Sequence, residues 1–453
     1  MAIFSERPTR RTVLKAGVVA ATIPAVHASA NAPEDSGDKL NLGIIGVGGR
    51  GRANTAGVAG ENIYALCDVH QEPIEAAKQQ FTDAKTFHDW RELIEDPAID
   101  GVVISTADHH HALAAVAAMR AGKHVYCEKP LAHTVYEARL LQDVYNELRP
   151  GIATQMGTQI HATENYRRVV ALVQGGAVGP VSEVHVWCSR TIPTVEVAIL
   201  PEQPEPDSFH WDVWLGPAAA RSYNEQYFQG GNLNWNRRWD FGNGVLGDMG
   251  SHLIDLPFWA LDLRRPLTVE SVGPEVDPVA CPPWQVVTWE HAPRNGNLNL
   301  ATPVKVVWYH GPEGMRQRSD LLQPLVGEDT KIDDWGIGAA FLGEKGVVVA
   351  DYGKYVLSPA AQFDGYVPRA ATIPPSPGHY QEWIKACKTG GDTLCNFDYS
   401  GALIEHNLLG NVAHRVGKKL EWNAESFSAV NTNEAEQFLT KEYRSGGPAH
   451  TGS

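Results

Sequence analysis

The chain has little cysteine: six residues in 453, at positions 67, 127, 188, 281, 387 and 395, with no C-x-x-C pair. Such spacing excludes a zinc ribbon or a dense disulfide framework as the source of stability. Cys67 and Cys127 fall in apolar, strand-like runs, where a buried thiol is the ordinary reading. Cys387 and Cys395 could pair only in an oxidising compartment. Basic charge is also short, with 38 Lys and Arg against 53 Asp and Glu and a net charge of −15. An acidic chain without a basic stripe is a poor partner for nucleic acid or an anionic membrane surface. No long hydrophobic run exists either: the early apolar stretch is interrupted by Pro24 and His27 and is too short to span a bilayer. What remains is 43% apolar and 20% charged residues, an ordinary composition for a packed enzyme, on a chain long enough for two domains.

Near the start, "TRRTVLK" (9–15) leads into the small-residue stretch "AGVVAATIPAVHASA". Adjacent arginines, a mildly apolar segment and Ala28-Ser29-Ala30 read as a twin-arginine export signal over 1–30, followed by a polar linker over 31–39. The leader has no cysteine to carry a lipid anchor. Expected from this are a periplasmic location, no membrane anchor, and a protein that folds before it crosses.

From residue 40 the pattern alternates. "LNLGIIGVGGRG", "NIYALCDV", "KTFHD", "DGVVIST", "KHVYCEKP" and "GIATQMG" are short β-rich runs, and helical patterns such as "EPIEAAKQQF" and "HALAAVAAMRAG" lie between them. This predicts βαβ units and a parallel sheet over 40–158. Gly46, Gly48 and Gly51 form G-x-G-x-x-G at a strand-to-helix turn, with Gly49 and Arg50 inside it. Glycine suits that turn because a Cβ would block the approach of backbone to a pyrophosphate. Asp68 ends the next strand at the distance expected of a residue that bonds the adenosine ribose, which favours NAD over NADP. Arg50 and Arg52 are the residues an additional 2′-phosphate would use.

Two further stretches carry chemistry. "HVYCEKPLA" puts Glu128 and Lys129 at the carboxyl end of a strand, where doubly wound folds bind ligands, and Pro130 restricts Lys129 to extended backbone. A lysine so held can donate to a developing alkoxide. In "GDMGSHLID", Asp248 and His252 are four residues apart and share a helix face, so that the carboxylate could orient the imidazole as a general base. Asp255 lies three residues further on.

Together these motifs resemble the Gfo/Idh/MocA oxidoreductases, and with the leader they look like an exported branch of that family. The resemblance extends over 40–420, through "GTQIHATENYRRVVALVQGGAVGPV" and "FLGEKGVVV". It implies an α/β fold: an N-terminal Rossmann domain over 40–158, then an α/β domain over 159–420 with a large, mostly antiparallel sheet, and a C-terminal extension over 421–453. It implies Lys129, Asp248 and His252 as catalytic residues, Glu128, Lys129, Thr106 and His111 beside the nicotinamide of NAD, and Arg50 with the glycines and Asp68 among the cofactor-binding residues. Family members commonly carry proline and asparagine after the threonine, where this chain has Ala107 and Asp108. The His109–His111 run carries no pattern of a metal site, and none is expected. The family also implies a homo-oligomer, a dimer or tetramer assembled through an exposed sheet.

On the substrate side, "FHWDVWLGPAAARSYNEQYF" (209–228) and "NWNRRWDF" (234–241) combine flat aromatic rings with hydrogen-bonding side chains. Such a mixture suits a sugar; Trp235, Arg237, Arg238 and Trp239 are candidates for lining its cleft, Arg238 and Trp239 foremost. The expected function is NAD-dependent oxidation of a secondary hydroxyl of a sugar, glycoside or polyol, with the cofactor retained. The alternatives are glycoside cleavage or epimerisation through transient oxidation, and a catalytically silent sugar-binding relative.

Overall fold

The computed structural model describes residues 39–191, 199–293, 303–368 and 373–444. The leader over 1–30 therefore lies outside the described residues, as does nearly all of the linker. Six of the predicted runs are strands: β1 (Asn41–Ile45), β2 (Asn62–Cys67), β3 (Lys85–Phe87), β4 (Gly101–Ile104), β5 (His124–Cys127) and β6 (Thr154–Met156). They form a parallel sheet in the order β3-β2-β1-β4-β5-β6. This is the doubly wound order, with its ligand crevice beyond the carboxyl ends of the strands. The strands are buried on both faces, which explains their continuous rather than alternating apolar pattern.

The second sheet is built from β7 (Val181–Cys188), β8 (Thr268–Val272), β9 (Gln285–His291), β10 (Val304–His310), β11 (Ile337–Gly343), β12 (Gly346–Ala350), β13 (Tyr355–Ser358), β14 (Leu420–Asn423) and β15 (Ser428–Ala429). Its order is β13-β12-β11-β7-β10-β9-β8-β14-β15, antiparallel except for the β7–β10 pair. One face packs on helices that include Gly244–Leu253 and Phe397–Val416, through Val184, Leu246, Trp289 and Leu409. Each fully buried aliphatic side chain in that layer contributes roughly 1.5–3 kcal/mol. The opposite face is covered by the helix Gly311–Val326, whose Leu322 and Val326 pack with Trp187, Tyr309 and Val349. The sheet face that the resemblance offered for assembly is therefore not open over this area.

Chain boundaries and spatial units differ. The helix His379–Thr389 returns to the first sheet, where Trp383 and Ile384 pack with Leu42, Ile44, Val103 and Tyr126. The stretch expected as a C-terminal extension instead begins within the sheet, as β14 beside β8. Arg444, the last residue described in this stretch, donates to the Asp212 carboxylate at 2.6 Å and to Gly216 O at 3.1 Å. All six cysteines are free thiols, Cys387 and Cys395 among them. No helix among the described residues is long and apolar enough to cross a membrane.

Candidate active site

The glycine turn links β1 to the helix Gly49–Val58. Gly46 has φ +82°, and a Cβ there would lie 2.6 Å from Ser105 O. A Cβ on Gly51 would lie 1.8 Å from Gly46 O, backbone that cannot move aside. Beside Gly49, by contrast, a Cβ would meet nothing within 4 Å. The helix has neither a side-chain cap nor an acidic residue in its first turn, so no side chain caps its leading amides, although Gly51 N donates to Gly48 O at 2.8 Å. A tight turn with an open, uncapped helix start fits a dinucleotide pyrophosphate. Asp68 supports the turn directly, its Oδ2 accepting from Val47 N at 2.8 Å and Gly48 N at 3.2 Å while Oδ1 accepts from His70 N at 3.1 Å. A carboxylate has about four acceptor positions, so these bonds leave capacity for a ribose hydroxyl. Burial raises the Asp68 carboxyl above its usual range, opposed by those amides.

Glu128 is buried at the end of β5, and its Oε1 accepts from Asn54 Nδ2 at 3.0 Å, Arg50 Nε at 3.1 Å and Gln159 Nε2 at 3.0 Å. That oxygen is occupied by protein donors, so Glu128 fastens the glycine-turn helix to the strand end. Arg50 also donates to Tyr380 Oη at 3.2 Å, which draws the helix His379–Thr389 into the same network. Thr106 O lies 3.1 Å from His111 Nε2, and His111 Nδ1 lies 2.7 Å from Pro130 O. His111 therefore sits between the two strand ends that carry Thr106 and Lys129, and as a neutral ring, favoured by burial, it donates to one of these two carbonyls. Its neighbours are spent otherwise: His109 Nε2 and His110 Nε2 both face Trp214 O, at 2.9 and 2.8 Å.

Lys129 reaches across to the helix Gly244–Leu253 and pairs with Asp248. The helix enters through Gly244, at φ +64°, where a Cβ would press within 2.8 Å of the Cys281 side chain. The second oxygen of Asp248 takes Arg190, two residues beyond β7. Burial alone would raise the Asp248 carboxyl, but Lys129 and Arg190 outweigh it and hold it below its usual range. Burial would likewise lower Lys129, but Asp248 and Glu128 outweigh that and its pKa is raised. The trio carries two cations and one anion. Lys129 and Asp248 are its shielded members, where a charge acts more strongly than in water, and Arg190, 39% exposed, is its solvent-facing one.

His252 lies one turn along, but Asp248 does not hydrogen-bond it. The expectation that Asp248 orients the imidazole is corrected: both carboxylate oxygens are committed to cations, and His252 Nδ1 faces Thr158 Oγ1 at 3.3 Å instead. A shared helix face brings side chains near one another, but stronger partners from other elements decide the bonds. Burial first, and Lys129 second, lower the His252 pKa to about 3, so the ring is neutral at pH 7. Asp255 faces another way, taking His161 Nδ1 at 3.0 Å and the Tyr399 hydroxyl at 2.7 Å.

Two residues of this site carried no signal in the sequence. Arg190 sits at the edge of a stretch that reads as an irregular loop. Tyr352 places its ring 6.2 Å from that of His252, and its hydroxyl is buried with no hydrogen-bond partner among the described residues. Nothing in the local pattern marks either one, because both arrive through pairing of the second sheet. Arg238 and Trp239, in contrast, are set apart from the trio. Arg238 lies over the Tyr227 ring at 5.0 Å, and Trp239 Nε1 donates to Asp277 O at 3.1 Å. No hydrogen bond, ion pair or ring contact joins either residue to Lys129, Asp248 or His252.

Comparison with known proteins agrees with this geometry. A profile described as "Oxidoreductase family, NAD-binding Rossmann fold" matches residues 40–149, and one described as "Oxidoreductase family, C-terminal alpha/beta domain" matches 187–298. A levoglucosan dehydrogenase of Pseudarthrobacter phenanthrenivorans is 32% identical over 158 residues, covering 31% of this chain and 38% of that protein. An inositol 2-dehydrogenase of Salmonella typhimurium is 31% identical over 153 residues, covering 32% of this chain and 45% of that protein. The matched segment thus spans less than half the length of these curated relatives. Among solved structures, a levoglucosan dehydrogenase in complex with NADH and levoglucosan superposes with a TM-score of 0.55 at 19% identity, covering 84% of this chain and 99% of the other. An aldose-aldose oxidoreductase from Caulobacter crescentus complexed with glycerol gives 0.55 at 17% identity, covering 85% and 100%. Those two show a shared fold. With one profile spanning the glycine turn to Lys129 and the other spanning Asp248 and His252, the chain belongs to the Gfo/Idh/MocA oxidoreductase family.

Proposed function

We propose that the protein is an NAD-dependent oxidoreductase acting on a secondary hydroxyl of a sugar, glycoside or polyol. The observation that carries this reading is the buried Lys129–Asp248 pair at the carboxyl end of the parallel sheet, with a neutral His252 beside it. Gly46, Gly48, Gly49, Gly51 and Asp68 would hold the dinucleotide, which when bound supplies a hydride acceptor. Lys129 stays charged at neutral pH and therefore cannot serve as the base. It donates a hydrogen bond to the substrate oxygen and stabilises the alkoxide, a task in which one organised donor contributes about 3–4 kcal/mol. Arg190 adds a second cation and, by sharing Asp248, keeps the cluster net positive. His252, neutral and held through Nδ1, offers Nε2 to take the hydroxyl proton. Tyr352 brings an unpaired hydroxyl to the same place and would bond a second hydroxyl of the substrate.

The levoglucosan and inositol dehydrogenases among the relatives support the same substrate class. Glycoside cleavage, epimerisation and silent binding have no specific observation in their favour. The twin-arginine motif supports export of the folded protein to the periplasm, with NAD loaded beforehand and kept through turnover. The reaction would then be balanced on the enzyme by a carbonyl acceptor. A homo-oligomer stays part of this proposal and would use surfaces other than the sheet face under Gly311–Val326. The test is a panel of sugars and polyols on purified protein, following nicotinamide absorbance with and without a carbonyl acceptor. Failure of every member to reduce NAD, alongside measurable sugar binding, would replace the reading with that of a binding protein.

A further inference from the structure

A cavity of about 60 Å³ lies away from the candidate active site, between the helix Phe397–Val416 and the C-terminal segment that follows β15. A single water needs roughly 10–15 Å³ of such space, so the cavity has room for a few waters or one small ion. Its wall includes His133, Trp239, Asn411, Arg415, Phe438 and Lys441, and no aspartate or glutamate among the described residues. The two cations differ in their surroundings. Lys441 is neutralised by Glu137 at 2.8 Å, and its ammonium donates to His133 Nδ1 at 2.9 Å. Arg415 has no carboxylate partner among the described residues. Its guanidinium is half-buried over two rings, 4.1 Å from the centroid of Phe438 and 5.1 Å from that of Trp239. Aromatic faces hold a guanidinium flat and supply part of its stabilisation, but they leave its N–H donors unspent and its charge uncompensated. Desolvation lowers its pKa, as expected of a cation with no anion close by.

We propose that this cavity binds one small anion, a carboxylate or tetrahedral oxyanion, on the guanidinium of Arg415, with Lys441 across the opening. The planar fork of arginine matches either geometry, and two rings keep it fixed before the ligand arrives. The location gives such binding a consequence. His133 follows the Lys129 segment by four residues, and Asn411 donates to Asn243 O at 3.0 Å, at the start of the helix that carries Asp248. An anion here would clamp the C-terminal segment onto both stretches that supply the catalytic pair.

The test is thermal melting at constant ionic strength, with chloride replaced stepwise by phosphate or by acetate. NAD is present in excess so that the glycine turn is not available to phosphate. In the unsubstituted protein one of the two anions should raise the melting temperature by about 2–4 °C near saturation. Arg415→Lys should keep part of that rise and Arg415→Met should lose it, and the effective anion reports whether the ligand is a carboxylate or an oxyanion. Equal rises in the unsubstituted and Arg415→Met proteins, or no rise beyond chloride with either anion, would overturn the proposal. Should Arg415→Met fail to fold, crystals of the unsubstituted protein soaked in selenate and, separately, in bromoacetate decide: anomalous density beside Arg415 with either sustains the site, and its absence there with both removes it.

Discussion

Lys129 and Asp248 are 119 residues apart in the chain and meet as a buried ion pair, one from the end of a Rossmann strand and one from a helix of the second domain. Removing one partner of such a pair is costly because the other charge is left buried alone. Asp248→Asn should therefore destabilise the fold by about 3–5 kcal/mol, less whatever Arg190 recovers by turning to solvent. Chemical denaturation checks this. A loss under 1 kcal/mol would mean that the pair is solvated.

Lys129→Met keeps the length of the side chain and removes its charge. Turnover on the responsive sugar or polyol should fall by about 10²–10³-fold, the usual cost of losing one oxyanion donor. NAD should still bind, because Lys129 is not among the residues of the glycine turn. Steady-state kinetics with a fluorescence titration of NAD separates the two effects, and a fully active variant would remove Lys129 from the mechanism.

Tyr352→Phe tests the unpaired hydroxyl. Deleting a buried hydroxyl without a partner should leave stability unchanged or slightly improved. If the hydroxyl bonds substrate, kcat/KM should drop about 5–30-fold, as for one lost hydrogen bond of 1–2 kcal/mol. A variant that melts several degrees lower with unaltered kinetics would show a structural role instead.

Acid should weaken the fold earlier than carboxylate titration alone predicts. Burial lowers His110, His310 and His406 to about 4, and His252 and His379 to about 3. Each is depressed in the folded state, so its contribution is complete above the unfolded value near 6.5 and is lost as pH falls towards the folded value. Each such group costs about 1.4 kcal/mol per pH unit once the unfolded chain binds its proton. Melting temperatures should be level above pH 7 and fall steeply from about pH 6 downward. A flat profile to pH 5 would mean that these rings are solvated.

The glycine turn makes a sharper demand. Gly51→Ala places a methyl group against Gly46 O, so NAD affinity should fall by two orders of magnitude or more, about 3 kcal/mol, as the turn opens. Isothermal titration with NAD measures it, and near-normal affinity would mean that the turn is not the pyrophosphate site.

Much of this was legible in the chain itself. The strand runs, the glycine spacing with Asp68, and the Asp248–His252 interval are local patterns, set by steric limits and helical period. Those constraints act within a few residues, so the chain states them directly. Tertiary structure alone decided which bonds those side chains make. Asp248 lies within reach of His252 by helix geometry, yet it is taken by Lys129 and Arg190, which arrive from other strands and interact more strongly. Tyr352 beside His252, Arg415 without a carboxylate partner among the described residues, and the helix covering the second sheet arise in the same way. Each depends on long-range pairing, and burial there sets the strength of every charge.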